Sequence, residues 1–261
     1  MIPNNIKALI LDMDGVIWKG DAPIGNLPAT FEQIRRRGLK FAFATNNGTR
    51  TPLEYQEKLR ALGVEVQPEQ IVTSAMALAF LLEKKYPRGA KVFVIGGQGI
   101  RAALEEKGFE VLSVERAPEA QAFVMGIDRE INFQKVAEAA LLVRSGVPFF
   151  TTNTDKTFPT VRGEIPGSGA WLAVIQTATG VEPISAGKPF PYLVELALQT
   201  LNAKKDEALM VGDRLETDIA AGQAVGCPTA LMLSGVASRA DAEKWQPAPT
   251  VIAESLAELV K

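Results

Sequence analysis

The chain has 261 residues, 47% of them apolar and 22% charged, and its 28 Lys and Arg against 30 Asp and Glu leave a net charge of −2. That length allows one or two domains and a core that buries about three quarters of the unfolded surface, while the near-neutral charge gives no electrostatic case for nucleic acid or an anionic membrane as partner. With no histidine and one cysteine, Cys227, the chain cannot run Ser-His-Asp or Cys-His catalysis, bind zinc through His, or form an internal disulfide or CxxC site. Acid–base chemistry near neutral pH then falls to carboxylates, Lys, Tyr or Cys227. Cys227 lacks the Arg six positions on that a cysteine-phosphatase loop needs; Leu233 stands there.

Taken in chain order, apolar runs alternate with amphipathic stretches. Ala8-Leu9-Ile10-Leu11 predicts a buried strand, Phe31 to Arg37 a helix and Lys40 to Ala44 a second strand. A helix follows over Leu53 to Leu62, closed by Gly63, then a short strand at Ile71-Val72-Thr73. Ser74 can cap a helix from Ala75 to Tyr86, which Pro87-Arg88-Gly89 breaks. Further strands are predicted at Val92 to Ile95, Phe123 to Met125 and Phe149 to Thr151, with helices at Ile100 to Glu106 and Phe133 to Val143. A loop-rich stretch from Thr152 to Gly169 leads to helices at Trp171 to Thr177 and Tyr192 to Leu201. The strand Leu209 to Val211, the helix Asp218 to Val225 and the strand Thr229 to Leu233 complete the series. Such alternation implies an α/β fold with parallel sheets and right-handed crossovers. The N-terminus lacks the basic and long apolar regions of a secretory signal, and no run of about 18 apolar residues occurs. A cytoplasmic protein without membrane partner is the expectation.

In an open parallel sheet, ligands sit beyond the carboxyl ends of strands. The first predicted strand ends in Asp12-Met13-Asp14-Gly15, the second in Thr45-Asn46-Asn47-Gly48, and a later one in Gly212-Asp213-Arg214-Leu215-Glu216-Thr217-Asp218. Lys188 stands between them in Gly187-Lys188-Pro189. Each motif alone has a structural reading: Asp-Gly is an ordinary turn, Thr45-Asn46-Asn47 could cap a helix. Together, hard oxygen ligands beside a lysine suit Mg²⁺ and a phosphate.

These four motifs resemble those of the haloacid dehalogenase superfamily, and more closely its subfamily IIA: the NagD-like, 4-nitrophenyl phosphatase, pyridoxal phosphate phosphatase and phosphoglycolate phosphatase group. The resemblance implies a Rossmann-like parallel-sheet core interrupted by an α/β C2-type cap: core in 1–87 and 183–261, cap in 88–182. The 31 positions from Asp14 to Thr45 leave no room for a lid, whereas the 143 from Thr45 to Lys188 hold a domain-sized insert. It implies Asp12 as nucleophile and Asp14 as general acid and base. Mg²⁺ would be held by Asp12, the Asp14 carbonyl and Asp213, with Asp218 in support. Thr45, Asn46 and Lys188 would bind the phosphoryl group of a small phosphomonoester: a sugar, nucleotide, glycerol or pyridoxal phosphate, or phosphoglycolate. Thr152 to Pro159 and Gly167-Ser168-Gly169 resemble the family's substrate-facing loop, which makes Asn153, Asp155 and Phe158 candidates for specificity; the alternative is that Asn153 and Asp155 only make turn hydrogen bonds. Cap-mediated dimers occur in related enzymes, which admits a homodimer through the cap.

Two rival classes remain. Gly97-x-Gly99-x-x-Ala102 follows a predicted strand and opens a helix, as in a dinucleotide-binding oxidoreductase, but Glu115 and Glu119 lie beside Pro118 rather than ending the next strand. A non-catalytic phosphometabolite sensor on the same fold would be favoured by a degraded catalytic position, and none is degraded.

Overall fold

The computed structural model describes residues 2–160 and 162–261, without the side chains of 158–160. The backbone divides into two compact units. The first comprises Met1–Thr45, Pro52–Val72 and Lys188–Lys261; the second comprises Asn46–Thr51 and Thr73–Gly187.

In the first unit a six-stranded sheet runs in the order Val251–Ala253, Thr229–Met232, Ala208–Gly212, Ala8–Leu11, Lys40–Thr45, Ile71–Thr73. Ala8–Leu11 pairs in parallel with Ala208 to Val211 on one side and with Lys40 to Phe43 on the other. All four of its residues are buried, as expected of a strand covered on both faces, which is why it reads as an unbroken apolar run. The helix Leu27–Arg36 starts at Asn26, whose side chain accepts from the Ala29 N–H at 3.1 Å. It buries Leu27, Phe31 and Ile34, and the Phe31 ring sits 5.0 Å from Phe41 and 5.7 Å from Phe43. The chain leaves Ala8–Leu11 toward one side and returns on the other. Its carboxyl end is therefore a topological switch point, where open α/β sheets bind ligands.

The second unit holds a five-stranded sheet in the order Ile184–Ser185, Phe149–Thr151, Ala122–Met125, Lys91–Ile95, Glu110–Leu112, with every pair parallel. Phe93, Phe123 and Phe149 stack across it with centroids 5.9 and 4.9 Å apart. The antiparallel hairpin Thr157–Thr160 with Gly163–Pro166 lies in the stretch expected as loop. Gly163–Pro166 is exposed throughout, so no apolar alternation marked it.

The break expected at 87/88 falls at 72/73, and that expected at 182/183 falls at 187/188. The helix Ser74–Glu83 buries eight of its ten residues and packs against Gln98–Glu106 of the same unit, so Pro87-Arg88-Gly89 is only a turn. At the far end, Ile184–Ser185 pairs with Phe149–Thr151 and keeps the chain in the second unit up to Gly187. Ser74 is not the cap of its helix. Thr73 is, accepting from the Met76 N–H at 3.3 Å.

Candidate active site

Asp12 follows the central strand, and its backbone N–H continues the ladder to the Val211 carbonyl at 2.9 Å. Only 8% of the residue is exposed. Its Oδ1 accepts from Lys188 Nζ at 2.6 Å, and the same ammonium lies 2.6 Å from Asp218 Oδ1 and donates to the Ala44 carbonyl at 2.9 Å. Asp218 Oδ2 accepts from the Asp213 and Arg214 N–H groups at 3.2 and 3.0 Å. Asp218 Oδ1 meets the ammonium as an ion pair without a hydrogen bond, and Oδ2 holds two N–H groups, so the residue acts as a brace between Lys188 and the turn after Ala208–Gly212.

Asp213 differs. Its Oδ2 accepts from the Val236 N–H at 2.8 Å, but its Oδ1, fully buried, has no hydrogen-bond partner among the described residues. Asp12, Asp213 and Asp218 each offer a carboxylate oxygen, and these lie within 4.8 Å of one another. Three buried carboxylates face one buried lysine. Burial, then the Asp218 charge, pushes the Asp213 carboxyl up to about 6. Burial pushes Asp12 well above the usual carboxylate range, against the pull of Lys188. Burial lowers Lys188, but the Asp12 and Asp218 charges outweigh it and raise the ammonium above its ordinary value. An orphaned anionic oxygen in an oxygen-only, electron-rich cluster fits a hard divalent cation such as Mg²⁺.

The floor of this cluster requires glycine. A Cβ on Gly15, whose φ is +83°, would stand 2.2 Å from Asp213 Oδ2, and one on Gly235 would stand 1.9 Å from the same atom. The turn Asp14-Gly15 is thus both left-handed and pressed against a carboxylate.

Asp14 is exposed, and its carboxylate is not part of the Asp12–Asp213–Asp218 cluster. Its Oδ1 instead accepts from Trp18 Nε1 at 2.9 Å. Thr45 closes the neighbouring strand Lys40–Thr45 and is 2% exposed. Of the residues singled out in the sequence, Asp12, Asp213, Asp218 and Lys188 converge directly.

The other candidates lie in the second unit. Asn46 offers its carbonyl to Ser74 Oγ at 2.5 Å and to Asn153 Nδ2 at 2.8 Å, and its own Nδ2 donates to Asp155 Oδ2 at 3.4 Å. Asn153, 6% exposed, also accepts from the Asp155 N–H at 3.1 Å. Asn153 and Asp155 therefore brace the Asn46 segment, an arrangement closer to the turn-bonding alternative than to a free specificity contact. The Phe158 backbone pairs with Ile165; its side chain lies outside the described residues.

Sequence reasoning missed two contributors. Trp18 carries no motif signal beyond being a large aromatic four residues after Asp14. Ser234-Gly235-Val236 supplies an N–H to Asp213 and, through Ser234 Oγ, a 2.7 Å bond to the Gly15 carbonyl. A Gly just past the predicted strand Thr229 to Leu233, at the same sheet edge, was the available clue. Gly99 of the dinucleotide fingerprint has a packing explanation: a Cβ there would lie 2.5 Å from the Gly48 carbonyl oxygen. It lets the helix Gln98–Glu106 seat against a loop of its own unit.

A parallel sheet whose central strand ends in a buried, lysine-paired aspartate beside a cation-ready carboxylate cluster defines a phosphoryl-transfer hydrolase. A haloacid dehalogenase-like hydrolase family model matches residues 9–110, and a second, HAD-hydrolase-like model matches 185–259. The acid sugar phosphatase of Staphylococcus aureus (strain USA300) is 36% identical over 259 residues, 98% of each chain. The crystal structure of a glycerol phosphate phosphatase from Mycobacterium tuberculosis in complex with magnesium superposes with a TM-score of 0.91 at 35% identity, covering 97% of this chain and 75% of that one. The p-nitrophenyl phosphatase from Archaeoglobus fulgidus gives a TM-score of 0.88 at 33% identity, covering 98% of both chains. The chain belongs to the haloacid dehalogenase-like hydrolases, among the phosphatases of subfamily IIA. No described helix is long and apolar enough to cross a membrane.

Proposed function

We propose that the chain is a Mg²⁺-dependent phosphomonoesterase acting on small phosphorylated metabolites, with sugar phosphates and glycerol phosphate as the leading substrate class. The observation that carries this reading is the buried Asp12–Lys188 pair beside an Asp213 oxygen with no partner among the described residues. The names of the Staphylococcus aureus and Mycobacterium tuberculosis relatives support the substrate class. A lone, buried, unpaired Cys227 supports a cytoplasmic setting.

Asp12 is the nucleophile. Its carboxylate attacks phosphorus, the bond to the ester oxygen breaks, and an aspartyl-phosphate forms. Asp14 delivers a proton to the departing alkoxide, then takes one from the water that attacks phosphorus and frees Asp12. Lys188 neutralises Asp12 in the resting site and offsets its repulsion of the phosphate dianion. Thr45 and Asn46 bind phosphoryl oxygens. Asp12, Asp213 and the Asp14 carbonyl would hold the Mg²⁺, with Asp218 in support, and the ion would supply charge neutralisation of the phosphoryl group.

The test is hydrolysis of 4-nitrophenyl phosphate and a panel of metabolite phosphates, with Mg²⁺ and with EDTA. The expected result is turnover that requires Mg²⁺ and falls by at least about 10³-fold in Asp12→Asn. Activity that survives EDTA, or the substitution, overturns the reading.

A further inference from the structure

We propose that Trp18 is a positioning residue that fixes the proton-donating oxygen of Asp14, and that Lys58 holds the indole in place. The inference rests on the phosphatase reading above and deepens it.

Trp18 lies four residues after Asp14 across a turn closed by several backbone bonds. The Gly15 N–H donates to the Trp18 carbonyl at 2.7 Å, and the Ile17 N–H donates to the Met13 carbonyl at 2.8 Å. The residue is 1% exposed and belongs to the apolar core of the first unit, which also includes Ile17, Leu27 and Leu59. A buried indole is expected to find a partner for its N–H. Here that partner is an exposed carboxylate, Asp14 Oδ1, at 2.9 Å. On the ring face, Lys58 Nζ lies 4.1 Å from the centroid, and it reaches Asp21 Oδ1 at 3.8 Å. An ammonium over an indole is attracted to its face, and it draws electron density away from the N–H and strengthens it as a donor.

The consequence for Asp14 is chemical. An indole nitrogen only donates, so the oxygen it touches must remain an acceptor. A carbonyl oxygen accepts better than a hydroxyl oxygen, so when Asp14 takes up a proton the indole bond favours that proton on Oδ2 over Oδ1. In the first half-reaction the Oδ2–H bond breaks and its proton passes to the ester oxygen as the P–O bond opens. In the second, Oδ2 takes a proton from the attacking water as the bond between phosphorus and Asp12 breaks. An exposed Asp14 side chain without this tether would rotate freely and spend little time with one oxygen correctly aimed.

The arrangement predicts a dependence on the leaving group. 4-Nitrophenolate departs without much help from an acid, whereas an alkoxide needs a proton. Trp18→Phe keeps a ring for the core and for Lys58 but removes the N–H. Its kcat/KM for 4-nitrophenyl phosphate, which reports formation of the aspartyl-phosphate before Asp14 acts as base, should stay within about 2-fold of wild type. On an alkyl phosphate such as glycerol phosphate it should fall at least about 10-fold, a fraction of the ~10²–10⁴ that a positioned proton donor contributes. Lys58→Met should shift the same ratio in the same direction by about 2- to 5-fold. Where Trp18→Phe fails to fold, 3-benzothienylalanine at position 18 preserves the shape of the indole and still lacks the donor. A thermal melt run beside the kinetics separates packing from positioning. Equal losses of kcat/KM on both esters, or no loss on either, in a folded variant overturn the proposal. Wild type that hydrolyses neither ester, or Asp12→Asn that hydrolyses both, overturns instead the phosphatase reading beneath it.

Discussion

Two buried polar clusters, one in each unit, are built in opposite ways. In the second unit Asn46, Ser74, Asn153 and Asp155 are linked by hydrogen bonds to one another. In the first, Asp12, Asp213 and Asp218 crowd around one lysine and leave Asp213 Oδ1 without a partner among the described residues. A satisfied network is what stability alone would select. An orphaned, buried charge costs stability, and the chain keeps three glycines, Gly15, Gly212 and Gly235, packed against the Asp213 and Asp218 side chains to accommodate it. The crowded cluster of the first unit is the one to which the proposed chemistry is assigned.

The sharpest way to break this comparison is to remove the one cation. Lys188→Met strands Asp12 and Asp218 in a buried site. It should abolish detectable phosphatase activity and cost about 3–5 kcal/mol in denaturant unfolding, the usual penalty for an uncompensated buried charge. A variant as stable as wild type would mean that solvent already reaches the cluster. A middle-sized effect is expected from pH. Burial holds the Asp213 carboxyl near 6, above its ordinary 3.8, so the folded, metal-free protein favours the protonated form. That contribution to stability is complete below about pH 4 and is lost as pH rises through 6. EDTA-treated protein should therefore lose stability between about pH 4 and 6, and Mg²⁺ should restore it. Mg²⁺ affinity measured by calorimetry should weaken below about pH 6, with protons released on binding. The smallest effect is expected in the second unit. Asn153→Ala removes one of two donors to the Asn46 carbonyl. It should raise KM by about 2- to 10-fold, the worth of one hydrogen bond, and by the same factor for every phosphomonoester. A change in substrate preference would return Asn153 to the role of specificity contact.

The sequence already showed the strand that carries Asp12, because a strand buried on both faces reads as an unbroken apolar run. It also showed the sheet-edge carboxylates, because they follow such runs directly. Lys188 was legible only as part of the four-motif pattern; nothing local in Gly187-Lys188-Pro189 announces a lysine that bridges two aspartates 2.6 Å away. The unit boundary was misplaced because Pro87-Arg88-Gly89 looks like a domain break. The deciding feature, the all-round apolar surface of Ser74–Glu83, needs a partner to be interpreted. The link from Trp18 to Asp14 was invisible for a similar reason: it depends on a left-handed turn at Gly15 that folds the chain back within four residues. The hairpin at 157–166 went unseen because exposed strands carry no burial pattern.

The central claim is that Asp12 becomes covalently phosphorylated. Acid-quenching the enzyme during turnover of 4-nitrophenyl phosphate in Mg²⁺, with peptide mass spectrometry of the quenched protein, tests it most directly. The account predicts a phosphate on the Asp12 side chain, accumulating further in Asp14→Asn, where the base that activates water is gone. Turnover with no phosphate on Asp12 in either protein would contradict it.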